Sequence, residues 1–289
     1  MVLHRFVLHN DRIHEASEPI LAPGQIGLLS GWGVFTTLKV AVGVPFAFER
    51  HWARISRDAA TMNVPLPANP EAIRQKLLEL VEANHAFNST LRLVIVRNGG
   101  GMWAGPSTGW DSDVIALTAD SKDWGDSVKL GIVPHGRYAA CEFATTKILS
   151  WAMNLTWVER AHQRGLDEVI LLNEHGEVAE CTSANIFAAN GGQVWTPPVS
   201  SGCLPGITRG LLLGEIHAPG ILIAEKKLTP ADLESADEVF ITSTTRNLLL
   251  VREIGGKAVG HTDRACRALS QAFGEYVDRY VAAHKGATV

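Results

Sequence analysis

Phe143-Ala-Thr-Thr-Lys-Ile-Leu-Ser-Trp-Ala-Met-Asn154 holds one charged residue, Lys147, in an otherwise uncharged run. Further along, Val178-Ala-Glu-Cys-Thr-Ser-Ala-Asn-Ile-Phe187 also holds a single charge, Glu180. An ammonium among small and apolar neighbours is costly to keep protonated, because desolvation favours the neutral amine. A neutral lysine amine attacks carbonyl carbon, which is what an imine-forming enzyme needs. The plainer alternative is a lysine at a strand end whose head reaches water while its stem packs. The rest of the chain decides between the two.

Outward from these runs, composition sets the frame. A chain of 289 residues is long enough for two domains with sizeable cores. Hydrophobic residues make up 46% and charged residues 19%, a balance that excludes intrinsic disorder. A net charge of −4 gives no reason to expect nucleic acid or an anionic membrane as partner. No apolar run approaches the roughly 18 residues of a membrane span, and the N-terminus has no signal-peptide pattern. A cytoplasmic protein is therefore expected. Its cysteines, Cys141, Cys181, Cys203 and Cys266, are widely spaced without a Cys-x-x-Cys pair and read as reduced thiols.

Before Lys147 the pattern is of strands with a helical interlude. Val2–His9 reads as a strand, and Gly33–Val42 with Val44–Phe48 reads as a hairpin around Val42-Gly43. From Glu49 the period turns helical, with Trp52, Ile55, Ala59 and Met62 on one face. Asn69-Pro70 opens a second helix that turns Ile73, Leu77, Leu80 and Val81 inward. Strands at Leu91–Val96 and Val114–Thr118 bracket the loop Asn98–Asp111, which is glycine-rich and carries Trp103 and Trp110. Its length and apolar content lead to the expectation that it lies at a pocket mouth, where it could close the site of a neighbouring subunit.

Ser121-Lys-Asp-Trp-Gly-Asp126 is polar and glycine-containing, and sets a linker at 121–127 between a smaller domain, 1–120, and a larger one, 128–289. In the larger domain Val128–Val133, Asp167–Leu172, Ile186–Ala189, Val194–Thr196, Ile221–Ala224, Val239–Thr242 and Leu248–Val251 read as strands. Leu155–Arg164, Thr208–His217 and Thr262–His284 read as helices, the last with Cys266, Leu269, Phe273, Val277 and Tyr280 on one face. Strands and helices mix without strict alternation, as in an α+β fold.

Several stretches carry candidate chemistry. Leu204-Pro-Gly-Ile-Thr-Arg-Gly-Leu-Leu-Leu213 puts Gly206 and Thr208 just before an apolar helix, whose first N–H groups make a ready phosphate seat. The alternative is that Thr208 simply caps that helix. Phe240-Ile-Thr-Ser-Thr-Thr-Arg246 ends a strand in four hydroxyls, either part of a phosphate cup or a plain turn. Arg54, in Glu49-Arg-His-Trp-Ala-Arg54, offers a guanidinium matched to phosphate, or only a surface helix face. Gly99-Gly-Gly-Met-Trp-Ala104 mimics a dinucleotide fingerprint, but Gly105, Pro106 and Gly109 forbid the helix that motif must open. There is no Gly-x-Ser-x-Gly elbow, no Walker sequence and no metal-spaced histidine pair, so no metal is expected.

Taken in order, Arg54, Lys147, Glu180 with Asn185, Gly206-Ile-Thr-Arg209 and Thr242-Ser-Thr-Thr245 resemble the fold-type IV, pyridoxal-phosphate enzymes. This is the class IV aminotransferase family, which includes branched-chain and D-amino-acid aminotransferases and aminodeoxychorismate lyases. The resemblance runs from Gly31-Trp-Gly-Val-Phe35 to Glu238-Val-Phe-Ile-Thr242. It implies a two-domain α+β fold like that of D-amino-acid aminotransferase, with pyridoxal 5′-phosphate held between the domains, and a homodimer. It implies that Lys147 forms the Schiff base with the cofactor and then moves the proton between Cα and C4′. Glu180 would sit against the pyridine nitrogen. Arg54, the Ile207 and Thr208 backbone, the Thr208 hydroxyl and Thr244 would hold the phosphate, with Leu204, Gly206 and Ser243 also against the cofactor. Thr182, Ser183 and Asn185 would line the ring.

The implied reaction is transfer of an amino group from an amino acid or amine to a 2-oxo acid. An aminodeoxychorismate lyase, which uses the same lysine and expels pyruvate, is the alternative. A cofactor-retaining binding protein is a third reading, opposed by the intact lysine and glutamate. Substrate contacts are expected from Phe35, Thr37, Lys39 and Trp103. Branched-chain members of the family wall their pocket with N-terminal-domain tyrosines, whereas the first tyrosine here is Tyr138. Phe35-Thr-Thr37 resembles the lyase branch and Leu38-Lys39-Val40 the D-amino-acid branch.

Overall fold

A computed structural model describes residues 2–102 and 109–285. The chain separates into two compact units. The first comprises residues 1–122 with 146–151 and 277–289, and the second 123–145 with 152–276.

The first unit is built on β1 (Leu3–His9), β2 (Arg12–Glu15), α1 (Ile26–Ser30), β3 (Gly33–Ala41), β4 (Val44–Pro45), α2 (Phe48–Thr61), α3 (Pro70–Ala83), β5 (Ser89–Arg97) and β6 (Ser112–Asp120). Its strands pair in the order β2-β1-β6-β5-β3-β4, antiparallel throughout. Alternation along each strand gives the sheet two different faces. One packs Leu38, Val40, Leu91, Leu93 and Ile95 in a cluster with Ile55 and Ala59 of α2 and with Ile73, Leu77 and Leu80 of α3. The other carries a small cluster of Phe35, Val94 and Val96, joined by Leu149 and Trp151. Phe35, Thr37 and Lys39 share this second face. Asn69 caps α3 as its sequence suggests, its side chain accepting from Glu71 N at 3.0 Å and Ala72 N at 3.2 Å.

The hairpin strand expected over Val44–Phe48 stops at Pro45, because Ala47 adopts a left-handed conformation (φ 53°) and Phe48 starts α2. Val42 and Gly43 both have positive φ, 50° and 82°, so the turn bends in the sense that matches strand twist. Val42 N donates to Asn88 Oδ1 at 3.1 Å, and Gly43 N to Phe87 O at 2.8 Å.

The second unit holds β7 (Ser127–Val133), α4 (Ala152–Gln163), β8 (Glu168–Leu172), β9 (Val178–Cys181), β10 (Asn185–Asn190), β11 (Gln193–Thr196), α5 (Ile207–Gly214), β12 (Leu222–Glu225), α6 (Pro230–Glu234), β13 (Glu238–Ser243), β14 (Asn247–Ile254), β15 (Lys257–Ala258) and most of α7 (Arg264–His284). The strand order is β12-β11-β10-β13-β14-β7-β8-β9, with β15 beside β14, and parallel and antiparallel pairs mix. Val128, Leu130, Ile170, Ile186, Val239, Ile241 and Val251 form its core. Glu238 opens α7, accepting from Ala265 N at 2.9 Å and Cys266 N at 3.0 Å, a carboxylate at the positive end of the helix.

Strand β9 and helix α6 have no counterpart in the periodicity, since both are shorter than the windows in which a period is legible. Helix α4 starts at Ala152, before the expected Leu155. Among the described residues, no helix is long and apolar enough to cross a membrane.

Candidate active site

Lys147 lies in a short extended segment that runs antiparallel to β3. Val34 and Ile148 form a bridge, Phe35 N donates to Lys147 O at 3.1 Å, and Leu149 N donates to Gly33 O at 2.8 Å. Gly33 is needed for this approach, because a Cβ there would come within 2.5 Å of Ile95 O and 3.3 Å of Leu149 Cδ2. Lys147 N donates to Asp58 Oδ2 at 3.0 Å, and the buried Asp58 is paired with Arg57. The lysine is half-buried rather than enclosed, and its Nζ stands 4.5 Å from the centroid of the Phe35 ring.

On the opposite face of β3, Thr36 accepts from Arg54 Nη2 at 2.8 Å and shares a 2.7 Å hydrogen bond with His51 Nδ1. Arg54 is buried (8% exposed), on the face of α2 that also turns His51, Ile55 and Asp58 inward, so it is not part of a surface helix face. His51 is held well below its usual pKa, by burial first and then by Arg54 and Lys147. It is therefore neutral, and its Nε2 is buried without a hydrogen-bond partner.

Beside Phe35, β5 presents Arg92 directly across from Thr37. The guanidinium lies 4.9 Å from the Phe35 centroid, half-buried, with its pKa lowered by burial. Among the described residues it faces no carboxylate. Lys39 on the same face also has a lowered pKa, from burial, with Asp278 acting in the opposite sense. Trp103 lies outside the described residues.

In the second unit, Glu180 is 4% exposed. Its register with β8 shifts between Leu171 and Leu172, an irregularity of the kind that re-aims a side chain. Arg137 donates to Glu180 Oε1 through Nη2 at 2.7 Å and Nε at 3.1 Å, while Leu204 N donates to Oε2 at 3.0 Å. Each carboxylate oxygen is therefore held from a different direction. Arg137 follows Gly136, where a Cβ would come within 2.9 Å of Leu171 Cδ2.

Leu204 also ties down Asn185, whose Nδ2 donates to Leu204 O at 2.9 Å. Next comes Gly206, the N-cap of α5. It has no side chain to cap the helix, and a Cβ there would collide with Asn185 Oδ1. Thr208 is buried in the first turn and is not the cap. The opening N–H groups of α5 are thus left for an anion. On the neighbouring strand, Thr242 Oγ1 is buried without a hydrogen-bond partner. Ser243 ends β13 and Thr244 follows in the turn, both half-buried, and Ser243 Oγ accepts from Arg246 N at 3.2 Å.

Thr182 and Ser183 have their polar groups engaged by Glu168. Thr182 Oγ1 donates to Glu168 Oε1 at 2.6 Å, and Ser183 N at 2.5 Å. Arg137, Glu168, Asp58, His51 and Arg92 do not stand out in the sequence as site residues. A faint signal existed for two of them. His51 precedes Arg54 by one helical turn, and Glu168 heads the wholly apolar run Val169-Ile-Leu-Leu172.

These donors suit pyridoxal phosphate. Lys147 is a primary amine, Glu180 a clamped carboxylate, and α5 has an uncapped start whose glycine permits close approach. Among the described residues, no cluster of His, Cys, Asp and Glu could hold a metal ion.

Residues 33–254 match the family described as amino-transferase class IV. The chain is 30% identical to the D-alanine aminotransferase of Bacillus licheniformis over 258 residues, covering 88% of this chain and 90% of that one. It is also 30% identical to a putative branched-chain-amino-acid aminotransferase of Methanocaldococcus jannaschii, covering 81% and 83%. The branched-chain aminotransferase of Thermoproteus uzoniensis, solved with norvaline, shares the fold at a TM-score of 0.86 and 23% identity, over 96% of this chain and 98% of that one.

Proposed function

The chain belongs to the class IV aminotransferases, pyridoxal-phosphate enzymes that pass an amino group from a donor to a 2-oxo acid, and we propose that Lys147, Glu180 and the start of α5 are the parts that do so here. The cofactor, when bound, supplies an aldehyde that an amine can attack and a ring that takes up the electron pair released at the substrate Cα. Lys147 would hold the cofactor through its carbonyl carbon, with loss of water, and once the donor amine has displaced it the freed Lys147 amine would carry the proton taken from the substrate Cα. Neutral His51 adds no positive charge beside that amine.

Glu180 orients toward the ring nitrogen and holds a proton there. The clamp from Arg137 and Leu204 N supports this role, because it fixes the carboxylate before the ring arrives. The first N–H groups of α5, the Thr208 and Thr244 hydroxyls and Arg54 bind the phosphate. That seat is supported most directly by Gly206, an N-cap with neither a side-chain cap nor room for one.

Arg92 supports an amino acid over a simple amine as donor. A half-buried guanidinium beside the ring on which Lys147 rests is placed to bind a substrate carboxylate. Homodimer formation is supported by apolar side chains that a single chain leaves exposed on α4, Met153 (67%) and Leu155 (56%). A cytoplasmic setting is supported by the four unpaired cysteine thiols.

The experiment is a half-reaction. The loaded enzyme is mixed with single amino donors, and the visible band of the lysine-bound cofactor is followed. Transamination predicts loss of the band with release of the donor's 2-oxo acid, and recovery on adding an acceptor. Pyruvate release from aminodeoxychorismate without any acceptor would assign the lyase reaction instead.

A further inference from the structure

Away from the reacting groups, the most densely bonded polar cluster in the second unit centres on Glu168. This carboxylate heads β8, is 1% exposed, and has both oxygens engaged. Oε1 accepts from Thr182 Oγ1 at 2.6 Å and Ser183 N at 2.5 Å, and Oε2 accepts from Arg246 Nη2 at 2.6 Å. Arg246 reaches the same turn with its other arm, Nη1 donating to Ser183 Oγ at 2.9 Å. Its guanidinium carbon lies 3.8 Å from the centroid of the Trp124 ring, and its main-chain N donates to Ser243 Oγ.

The pair therefore joins two turns that are distant in sequence. One, between β9 and β10, follows Glu180 and leads into Asn185. The other, between β13 and β14, follows Ser243 and carries Thr244. Fold stability alone is a weak reason for such a pair, since a buried ion pair commonly does no better than apolar residues of the same size. Arg246 Nε is moreover buried without a hydrogen-bond partner, a cost that a purely structural anchor would be expected to avoid.

We propose that Glu168 and Arg246 are positioning residues for cofactor binding, locking the 243–246 turn onto the 182–185 turn so that the phosphate contacts of Thr244 are set before the cofactor arrives. This rests on the reading of Thr244 as a phosphate contact. Glu168 has no acid or base part in this proposal; its oxygens bond Thr182, Ser183 and Arg246. Its effect reaches the cofactor through the placement of the second turn.

Glu168→Gln isolates that effect. The amide oxygen can still accept from Thr182 and Ser183, whereas the amide nitrogen cannot accept from Arg246. The link to the 243–246 turn is cut and the 182–185 side is kept. Dissociation constants of the full-length apoprotein are measured by equilibrium dialysis for pyridoxal phosphate and for pyridoxal, which has the same ring and aldehyde but no phosphate. Thermal unfolding is followed alongside. The expected result is a rise of about tenfold or more in the constant for pyridoxal phosphate, with a change below about twofold for pyridoxal. Pyridoxal phosphate binding within about twofold of wild type overturns the proposal, and so does an equal loss for both ligands, which would mean general loosening.

Arg246→Lys provides a second route if Glu168→Gln does not fold. It keeps the charge, loses one arm, and should show the same phosphate-selective loss. Thr244→Val separates the two levels. If it binds pyridoxal phosphate normally, the phosphate seat itself is misassigned. If it binds weakly while Glu168→Gln binds normally, only the positioning role fails.

Discussion

Lys147 and Glu180 are fixed in opposite ways. Lys147 is held by its main chain: its N–H is bonded to Asp58, its carbonyl to Phe35 N, and the next residue bridges to Val34. Its side chain rests on the Phe35 ring. Glu180 is held by its side chain, with Arg137 on one oxygen and Leu204 N on the other. The difference fits the roles proposed for the two residues. An amine that exchanges bonding partners during turnover needs a fixed root and a side chain that can swing. A carboxylate that holds one proton throughout needs fixed oxygens and no swing at all.

The comparison is tested hardest at Glu180. Glu180→Gln keeps the shape and loses the charge, so the protein should fold, bind cofactor and attach it to the lysine. Turnover should fall about a hundred- to a thousand-fold, equivalent to roughly 3–4 kcal/mol, with removal of the Cα proton limiting. Wild-type turnover without a deuterium isotope effect at Cα would remove Glu180 from the ring nitrogen. A smaller effect is expected from Gly206→Ala, where the new methyl must displace Asn185 Oδ1. Cofactor affinity should drop about tenfold, corresponding to roughly 1.4 kcal/mol, while the lysine-side spectrum of the bound form is unchanged. Equal affinity in the variant would argue that the α5 start is only a helix end.

His51 tests the lysine side through pH. Its folded-state pKa is depressed, so the stability it contributes is complete above the unfolded value of about 6.5 and is lost as pH falls from there toward the folded value. Wild-type apoprotein should therefore lose stability below pH 6.5 more steeply than His51→Asn, by up to about 1.4 kcal/mol per pH unit. Parallel urea-unfolding midpoints for the two proteins across this range would show that His51 is not buried neutral.

At the hairpin turn of the first unit, Val42 holds φ 50°, a conformation strained for a β-branched residue. It is 49% exposed, so little packing is at stake. Val42→Asn should stabilise by about 1 kcal/mol and raise the unfolding temperature by roughly 2–4 °C, leaving activity unchanged. A lower unfolding temperature would show that the valine packs better than its exposure suggests.

What the sequence made legible was local. The Asn69-Pro70 start of α3, the long apolar face of α7 and the lone charges at 147 and 180 are read from neighbours in the chain, and the structure has a helix start, a helix and two anchored residues there. The supports for those residues are not local. Asp58 is 89 residues from Lys147, and Arg137 is 43 residues from Glu180. Nothing in the spacing of Ser183 and Arg246 announces that both bond Glu168. Strand β9 is not legible as a strand because its four residues are too few to show a period and are all buried, which leaves no alternation. The aromatic surface around the lysine was legible only in part, since Phe35 stood out in the sequence and Arg92 across from Thr37 did not.

The central claim is that Lys147 is the covalent root of the cofactor. Its most direct test is to reduce the loaded enzyme with borohydride, digest it and locate the modified lysine by mass spectrometry, with Lys147→Ala treated in parallel. The account predicts a single modified residue, Lys147, and no attached cofactor or turnover in the variant. Modification of Lys39 or any other lysine in the wild type, or attached cofactor persisting in Lys147→Ala, would contradict it.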